Sequence, residues 1–462
     1  MRRLSLLSTT AVALCAAAPA LAATCALDLG GNVTCAALNS DPVASAADNV
    51  TVTVQSGASV VSSNKNATPV AMTGNAATVA NDGLIEQTAS SGYAITGTAN
   101  GLTVTNTGQI ASGDRGIAML SGSNLSVTNA AGATIESRRQ GIRAEENVTT
   151  TYVENHGTIR ATEGRALQLR AQDTTVINHG TLIGGEEVVE ARGGFRLENY
   201  GTIRLYDETV LDEDGVQFAG GSVLNAGTIR GTDDGIDLDE GLVENTATGI
   251  IRSLAADDAD NSGIDIDNVY EDGVNLNRQN TTVTIRNAGL IEGPSAIGAD
   301  DAATNSVVIE NSGTLTGRGD YAIRLAPVQG DSALKLLAGS IINGGVRFGA
   351  GDDTVSIDAL FTGSAASDVI DGGLGTDIAL FDGFALTDLL SFDIAGDLVT
   401  LALSDGTRAV SGAFRSFEVW DFGGTRYSTQ DIAAATSPVP LPAGLPLLLA
   451  GMGALALLRR RA

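Results

Sequence analysis

Aromatic residues make up only 4% of the 462-residue chain, with a single tryptophan, Trp420. So few rings fit a thin core of small aliphatic side chains. Bases are also few: 27 lysines and arginines stand against 54 acids, for a formal net charge of −27. Such a surface repels polyanions, which excludes duplex nucleic acid as a partner and favours divalent cations, high solubility or mutual repulsion between neighbouring molecules. Between the chain ends no helical apolar stripe of useful length occurs, so a helical bundle is excluded as well. Disorder is disfavoured too, because 43% of the residues are hydrophobic and regularly spaced.

What is abundant is glycine, 57 residues, much of it in a recurring asparagine-glycine-aliphatic unit. Examples are Asn106-Thr107-Gly108-Gln109-Ile110, Asn155-His156-Gly157-Thr158-Ile159, Asn199-Tyr200-Gly201-Thr202-Ile203 and Asn311-Ser312-Gly313-Thr314-Leu315. Looser copies sit at Asn129 and Asn245. Successive asparagines lie 20 to 26 residues apart, except for one interval of 42, read as about two periods. A fixed period in this range means a solenoid. Each period holds three short extended pieces: one before the asparagine (Thr175-Val176-Ile177), one after the glycine (Thr202-Ile203-Arg204) and a third further on (Gly235-Ile236-Asp237-Leu238). The fold expected is all-β, a right-handed parallel β-helix.

Asparagine suits a tight corner because it tolerates left-handed backbone and bonds nearby main chain. Stacked amides can also bond one another in a ladder. The glycine two residues on is expected to permit the turn without Cβ strain. About 13 coils between residues 45 and 345, at roughly 4.8 Å each, make a rod about 60 Å long.

The ends read differently. Met1-Arg2-Arg3 and the apolar run after it have the form of a secretory signal, residues 1–22, with the mature start near Ala23. Cys25 and Cys35 then remain, and an even pair in an exported chain is expected to form one disulfide, two free thiols being the alternative. At the other end Leu441 to Leu458 is an 18-residue apolar run followed by three arginines. As a helix it would be roughly 27 Å long, enough to span a bilayer with the arginines cytoplasmic. Removing both ends takes away five arginines and no acid, so the processed chain is more acidic still.

Val439-Pro440-Leu441-Pro442-Ala443, the apolar run and the basic end closely resemble the VPLPA-type variant of PEP-CTERM sorting tails of Gram-negative bacteria. The resemblance covers residues 439–462. It implies transient inner-membrane anchoring, processing by exosortase, and delivery to the cell surface or matrix. A permanent tail anchor is the alternative.

Four features are candidates for chemistry. The first is an acidic stretch in which Asp237 with Asp239, and Asp265 with Asp267, alternate along strands and should point outward together. Stacked one coil apart, they would concentrate charge that Ca²⁺ could offset with its six to eight oxygen ligands. The bland reading is ordinary acidic surface. This stretch also faintly resembles the acidic motif of polygalacturonase-type β-helix glycosidases, in which two carboxylates act as acid and base. It lacks a downstream histidine and cleft-forming loops, so an enzyme is not expected. The second feature is the stacked pair His156 and His179, either a metal-binding pair or chance turn occupancy. The third is a run of arginines over residues 138–204, either a salt-bridge ladder with interleaved acids or a stripe for acidic polysaccharide.

The fourth is Gly349-Ala350-Gly351-Asp352-Asp353-Thr354-Val355 and Gly372-Gly373-Leu374-Gly375-Thr376-Asp377-Ile378. These resemble haemolysin-type calcium repeats, which implies calcium at Asp352, Asp353, Asp371 or Asp377; isolated copies also resemble the final coils of autotransporter-like adhesins, where they can be simple turns. True arrays repeat every nine residues, whereas these copies lie 24 residues apart.

The layout expected is an N-terminal cap at 23–44, repeats at 45–345 and calcium-repeat-like coils at 346–383. A β cap at 384–432, a linker at 433–438 and the tail follow. No segment with membrane β-barrel character follows the repeats, so self-translocation is not expected. The repeats and cap resemble adhesins and autotransporter passengers. That resemblance implies a structural or adhesive surface protein, with polysaccharide or matrix as partner.

Overall fold

The computed structural model describes residues 25–209, 212–256, 261–267, 281–299 and 306–436, together with the backbone of Tyr270–Glu271 and Val274–Asn275. Within them the repeat forms an all-β parallel solenoid of about 13 turns. Each turn contributes up to three strands, and each strand pairs with its counterpart in the next turn. Leu102–Asn106 lies on Asn124–Asn129, which lies on Thr150–Asn155. The strand after the glycine stacks likewise, Thr158–Ala161 on Thr181–Gly184. So does the third, Leu167–Leu169 on Val189–Ala191 and then Val216–Phe218.

Period-two alternation decides what is inside. Val104, Val127, Val153, Val176 and Leu197 form one fully buried column, while Thr103 and Thr105 on either side of Val104 are exposed. Each fully buried aliphatic contributes roughly 1.5–3 kcal/mol. Every turn packs chiefly on its two neighbours, so stability is close to a sum of nearest-neighbour terms.

The asparagines from Asn81 to Asn311 form one continuous amide ladder. Each Nδ2 donates to the Oδ1 of the next asparagine at 2.8 to 2.9 Å. The same amide donates to a carbonyl of its own turn, as Asn155 does to Gly157 O at 3.2 Å. One side chain thus closes a turn and fixes the stacking. Asn129 and Asn245 are full members, their turns being two residues longer, with Ala133 and Gly249 as the carbonyl partners.

Two sequence expectations need correction. The interval of 42 residues is a single turn and not two. Asn245 donates directly to Asn287 at 2.8 Å, and Gly241–Asn245 pairs with Thr282–Asn287. The extra residues flank the strand Ser262–Ile266 on both sides. The repeat glycine also has a different role from the one expected. Gly157, Gly180 and Gly201 do not have positive φ. Instead, a Cβ at Gly180 would overlap the carbonyl oxygen of Gly157 one turn back. Glycine is needed because adjacent turns approach too closely for a side chain.

At the N-terminal end Cys25 and Cys35 form a disulfide, and Val33–Cys35 stacks on Thr51–Val54. At the other end the strands become antiparallel: Leu389–Ala395, Leu398–Ser404 and Ala409–Arg415 form a meander. Val419–Phe422 stacks in parallel on Ile378–Phe381 and in antiparallel on Thr425–Ser428. Trp420 is fully buried among Phe381, Phe392, Phe414 and Phe417. A short helix, Thr429–Thr436, occupies part of the stretch expected to be linker. Among the described residues no helix is long and apolar enough to cross a membrane. The signal-like residues 1–22, the motif Val439–Ala443 and the run Leu441–Leu458 lie outside the described residues.

Candidate cation-binding trough

The third strand of each turn is entered through a corner, two residues ahead of the aligned column Leu167, Val189, Val216, Ile236 and Ile264. Along this corner the side chains run Arg165, Glu187, Asp214, Asp234, Ser262. The outward position of the strand runs Gln168, Glu190, Gln217, Asp237, Asp265. Arg165 reaches Glu186, Glu187 and Glu190 at 2.8, 2.6 and 2.5 Å. Beyond it these two columns carry no arginine until after residue 298, and carboxylates accumulate.

Asp212, Asp214, Asp233, Asp234, Asp237, Asp265 and Asp267, with Glu187, Gln217 and Asn261, line an open depression of about 450 Å³. Asp214 and Asp234 are each 7% exposed and Asp265 3%. The backbone N–H of Asp234 donates to Asp214 Oδ1 at 3.0 Å, and that of Ser262 to Asp234 Oδ1 at 2.6 Å. Gln217 Nε2 donates to Asp237 Oδ2 at 2.9 Å. Carboxylate oxygens converge in two groups, each within 4.8 Å: Asp214, Asp233 and Asp234, and then Asp237, Asp265 and Asp267.

Burial, reinforced by neighbouring carboxylates, pushes Asp214 and Asp234 well above the usual carboxylate range; Asp237 adds to the first and Asp265 to the second. Burial, then Glu187, also raises Glu213 to about 7. The donor set is entirely oxygen and anionic. That chemistry takes a hard divalent cation, or else protons.

The chain matches no protein-family model, no curated protein and no solved structure. Function is therefore read from the site itself.

Of the residues expected to bind calcium here, Asp237, Asp265 and Asp267 come together, while Asp239 belongs to neither group. Asp265 holds the outward strand position expected beside Asp267, but it is not a surface carboxylate. It is buried, with Gly298 of the next turn close against it. Asp214, Asp233 and Asp234 were not singled out as ligands from sequence. The signal was the aligned pair Asp214-Gly215-Val216 and Asp234-Gly235-Ile236, visible only once the register is known.

The haemolysin-like residues are placed differently. Ser332 N–H donates to Asp353 Oδ1 at 2.5 Å, Asp353 N–H to Asp377 Oδ1 at 2.8 Å, and Asp377 N–H to Glu418 Oε2 at 2.9 Å. Asp353 and Asp377 are 0% and 1% exposed. Asp352 accepts from Thr376 N–H and Asp371 from Gly373 N–H. Among the described residues, neither close carboxylate group includes any of these four. Asp352, Asp353 and Asp377 stitch one turn to the next, whereas Asp371 closes its own turn.

His156 and His179 stack with centroids 4.7 Å apart and planes 6° apart, and Tyr200 continues the stack at 4.9 Å. Parallel rings aim their nitrogens side by side, so they do not converge on one ion. His156 Nε2 instead meets Glu154 at 2.9 Å. The arginine run is laced with acids, as in Arg160–Glu136 at 2.8 Å and Arg192–Glu146 at 3.2 Å. Partly exposed pairs like these add little stability.

Proposed function

We propose that this protein is an exported cell-surface or matrix component, a stiff and acidic adhesin-like rod stabilised by calcium in the trough. The observation that carries the reading is the unbroken asparagine ladder, which devotes the repeat to one rigid rod. The right-handed sense agrees with the usual hand of parallel β crossovers. Shielding of the last open turn by the antiparallel strands around Trp420 belongs to the same reading. Support for export comes from the Cys25–Cys35 disulfide together with the signal-like residues 1–22. The tail's resemblance to VPLPA-type signals supports sorting by exosortase after transient inner-membrane anchoring. Polysaccharide or matrix is the partner this role implies.

The test is cell fractionation with intact-mass measurement. A surface or released form that begins near Ala23 and ends near the Val439–Ala443 motif is expected. A full-length C-terminus held in the inner membrane would overturn the sorted-rod reading.

The paired buried and half-buried carboxylates of the trough favour a second reading, acid–base cleavage of a polysaccharide. Release of reducing ends from acidic polysaccharides, lost in Asp237→Asn, would establish it. No release across a broad panel would remove it.

A further inference from the structure

We infer that the trough takes two divalent cations, and that Asp214, Asp233 and Asp234 form a calcium site separate from that of Asp237, Asp265 and Asp267. This rests on the calcium part of the proposed function and extends it to residues that the repeat pattern alone does not single out.

The decisive comparison is with Asp114. That residue is also buried at a turn corner, 2% exposed, but three arginines serve it: Arg115 at 2.8 Å, and Arg138 and Arg139 at 3.4 Å. Asp214 and Asp234 are more than nine-tenths buried and form no ion pair among the described residues. One oxygen of each accepts a backbone N–H from the following turn, which fixes the carboxylate's orientation. The other oxygen accepts no hydrogen bond among the described residues, and both residues line the trough. Two like charges held in register and out of water are costly unless a counter-charge is supplied. Among the described residues arginines serve Asp114 and none pairs with Asp214 or Asp234, so the counter-charge of these two comes from solution.

Oxygen-only donors select a hard cation, and Ca²⁺ tolerates an irregular carboxylate set completed by water in an open trough. Mg²⁺ would require near-ideal octahedral geometry. Each ion would span two successive turns. Asp214 belongs to the turn before that of Asp233 and Asp234, and Asp237 to the turn before that of Asp265 and Asp267. Together the pair would staple three turns, including the one carrying the long insertion between Asn245 and Asn287.

The experiment is calcium stoichiometry on the processed chain, stripped with chelator, by equilibrium dialysis with radioactive calcium. Two ions per chain are expected for the wild type. One is expected for Asp214→Asn/Asp234→Asn, and one for Asp265→Asn/Asp267→Asn. A single wild-type ion that survives Asp214→Asn/Asp234→Asn would overturn the second site and leave the calcium reading standing. A single ion lost in both variants would mean one shared site and would also overturn it. No bound calcium would remove both. Should a variant fail to fold, the wild-type count of two or one still decides.

Discussion

Asn155 donates its side-chain amide to the Oδ1 of Asn178, one turn on, at 2.8 Å, and both residues are fully buried. Each is donor to one neighbour and acceptor from the other, so the ladder has a direction. Asn178→Ala strands the Oδ1 of Asn199, while the amide of Asn155 keeps only its longer bonds to the carbonyls of Gly157 and Thr181. A buried orphan costs about 1–3 kcal/mol. Urea denaturation followed by circular dichroism should show a loss of about 1–3 kcal/mol, against less than about 0.5 for the surface change Thr103→Ala. Equal effects at the two sites would mean that the ladder does not hold the turns.

The disulfide restrains the first turn only. Residues 25 and 35 are ten apart, and closing so short a loop is worth about 2–3 kcal/mol. Reduction should therefore raise amide hydrogen exchange in Val33–Cys35 and Thr51–Val54, which stack directly on each other. Exchange beyond Asn106 should stay unchanged. Faster exchange along the whole rod would mean that the turns are coupled far more tightly than neighbour packing predicts.

Buried carboxylates set the pH dependence. Burial pushes Asp353 up to about 7 and Asp377 up to about 6. In the unfolded chain both titrate near 4. Between those values the native state holds more protons than the unfolded one, so stability falls as pH rises from about 4 to about 7. Asp405 works in the opposite sense, held down to about 2 by hydrogen bonds from Arg408, but its window lies below 4. In chelator the melting temperature should be lower at pH 8 than at pH 5, with a smaller difference in Asp353→Asn. A melt that rises with pH over that interval would show that these carboxylates do not dominate.

The architecture was legible in sequence because one side chain type recurs at one structural position. Asn106 and Asn199 mark the same corner, and the alternation around Val104 or Val176 says which face is inside. The interval between Asn245 and Asn287 was misread because spacing alone does not distinguish a skipped turn from an insertion. Only the direct amide bond resolves it. The trough was half legible. Asp237, Asp265 and Asp267 are visible as alternating acids. Asp214 and Asp234 matter because, among the described residues, no arginine pairs with them as three do with Asp114. Asp353 and Asp377 carry the right letters for a calcium repeat. With 24 residues between copies, one oxygen of each carboxylate accepts a backbone N–H of the neighbouring turn.

Trp420 is the chain's one tryptophan, so its fluorescence reports the C-terminal end alone, while far-ultraviolet circular dichroism reports every turn. Val419–Phe422, which carries it, stacks on Ile378–Phe381, immediately after the buried Asp377. Two forces meet there. Packing of Phe381, Phe392 and Phe414 on the indole favours the native end, and the buried carboxylates oppose it once ionised. Lowering the pH from 8 to 5 should therefore raise the fluorescence midpoint in urea by more than the dichroism midpoint. Phe414→Ala removes a ring that touches Phe381, Phe417 and Trp420 at once, and should cost about 3–5 kcal/mol at that end. Its effect should appear chiefly in fluorescence, because turns near the disulfide share no contact with the cluster. Identical shifts in both signals would show that the rod unfolds as one cooperative unit, with the damage carried from turn to turn along its whole length.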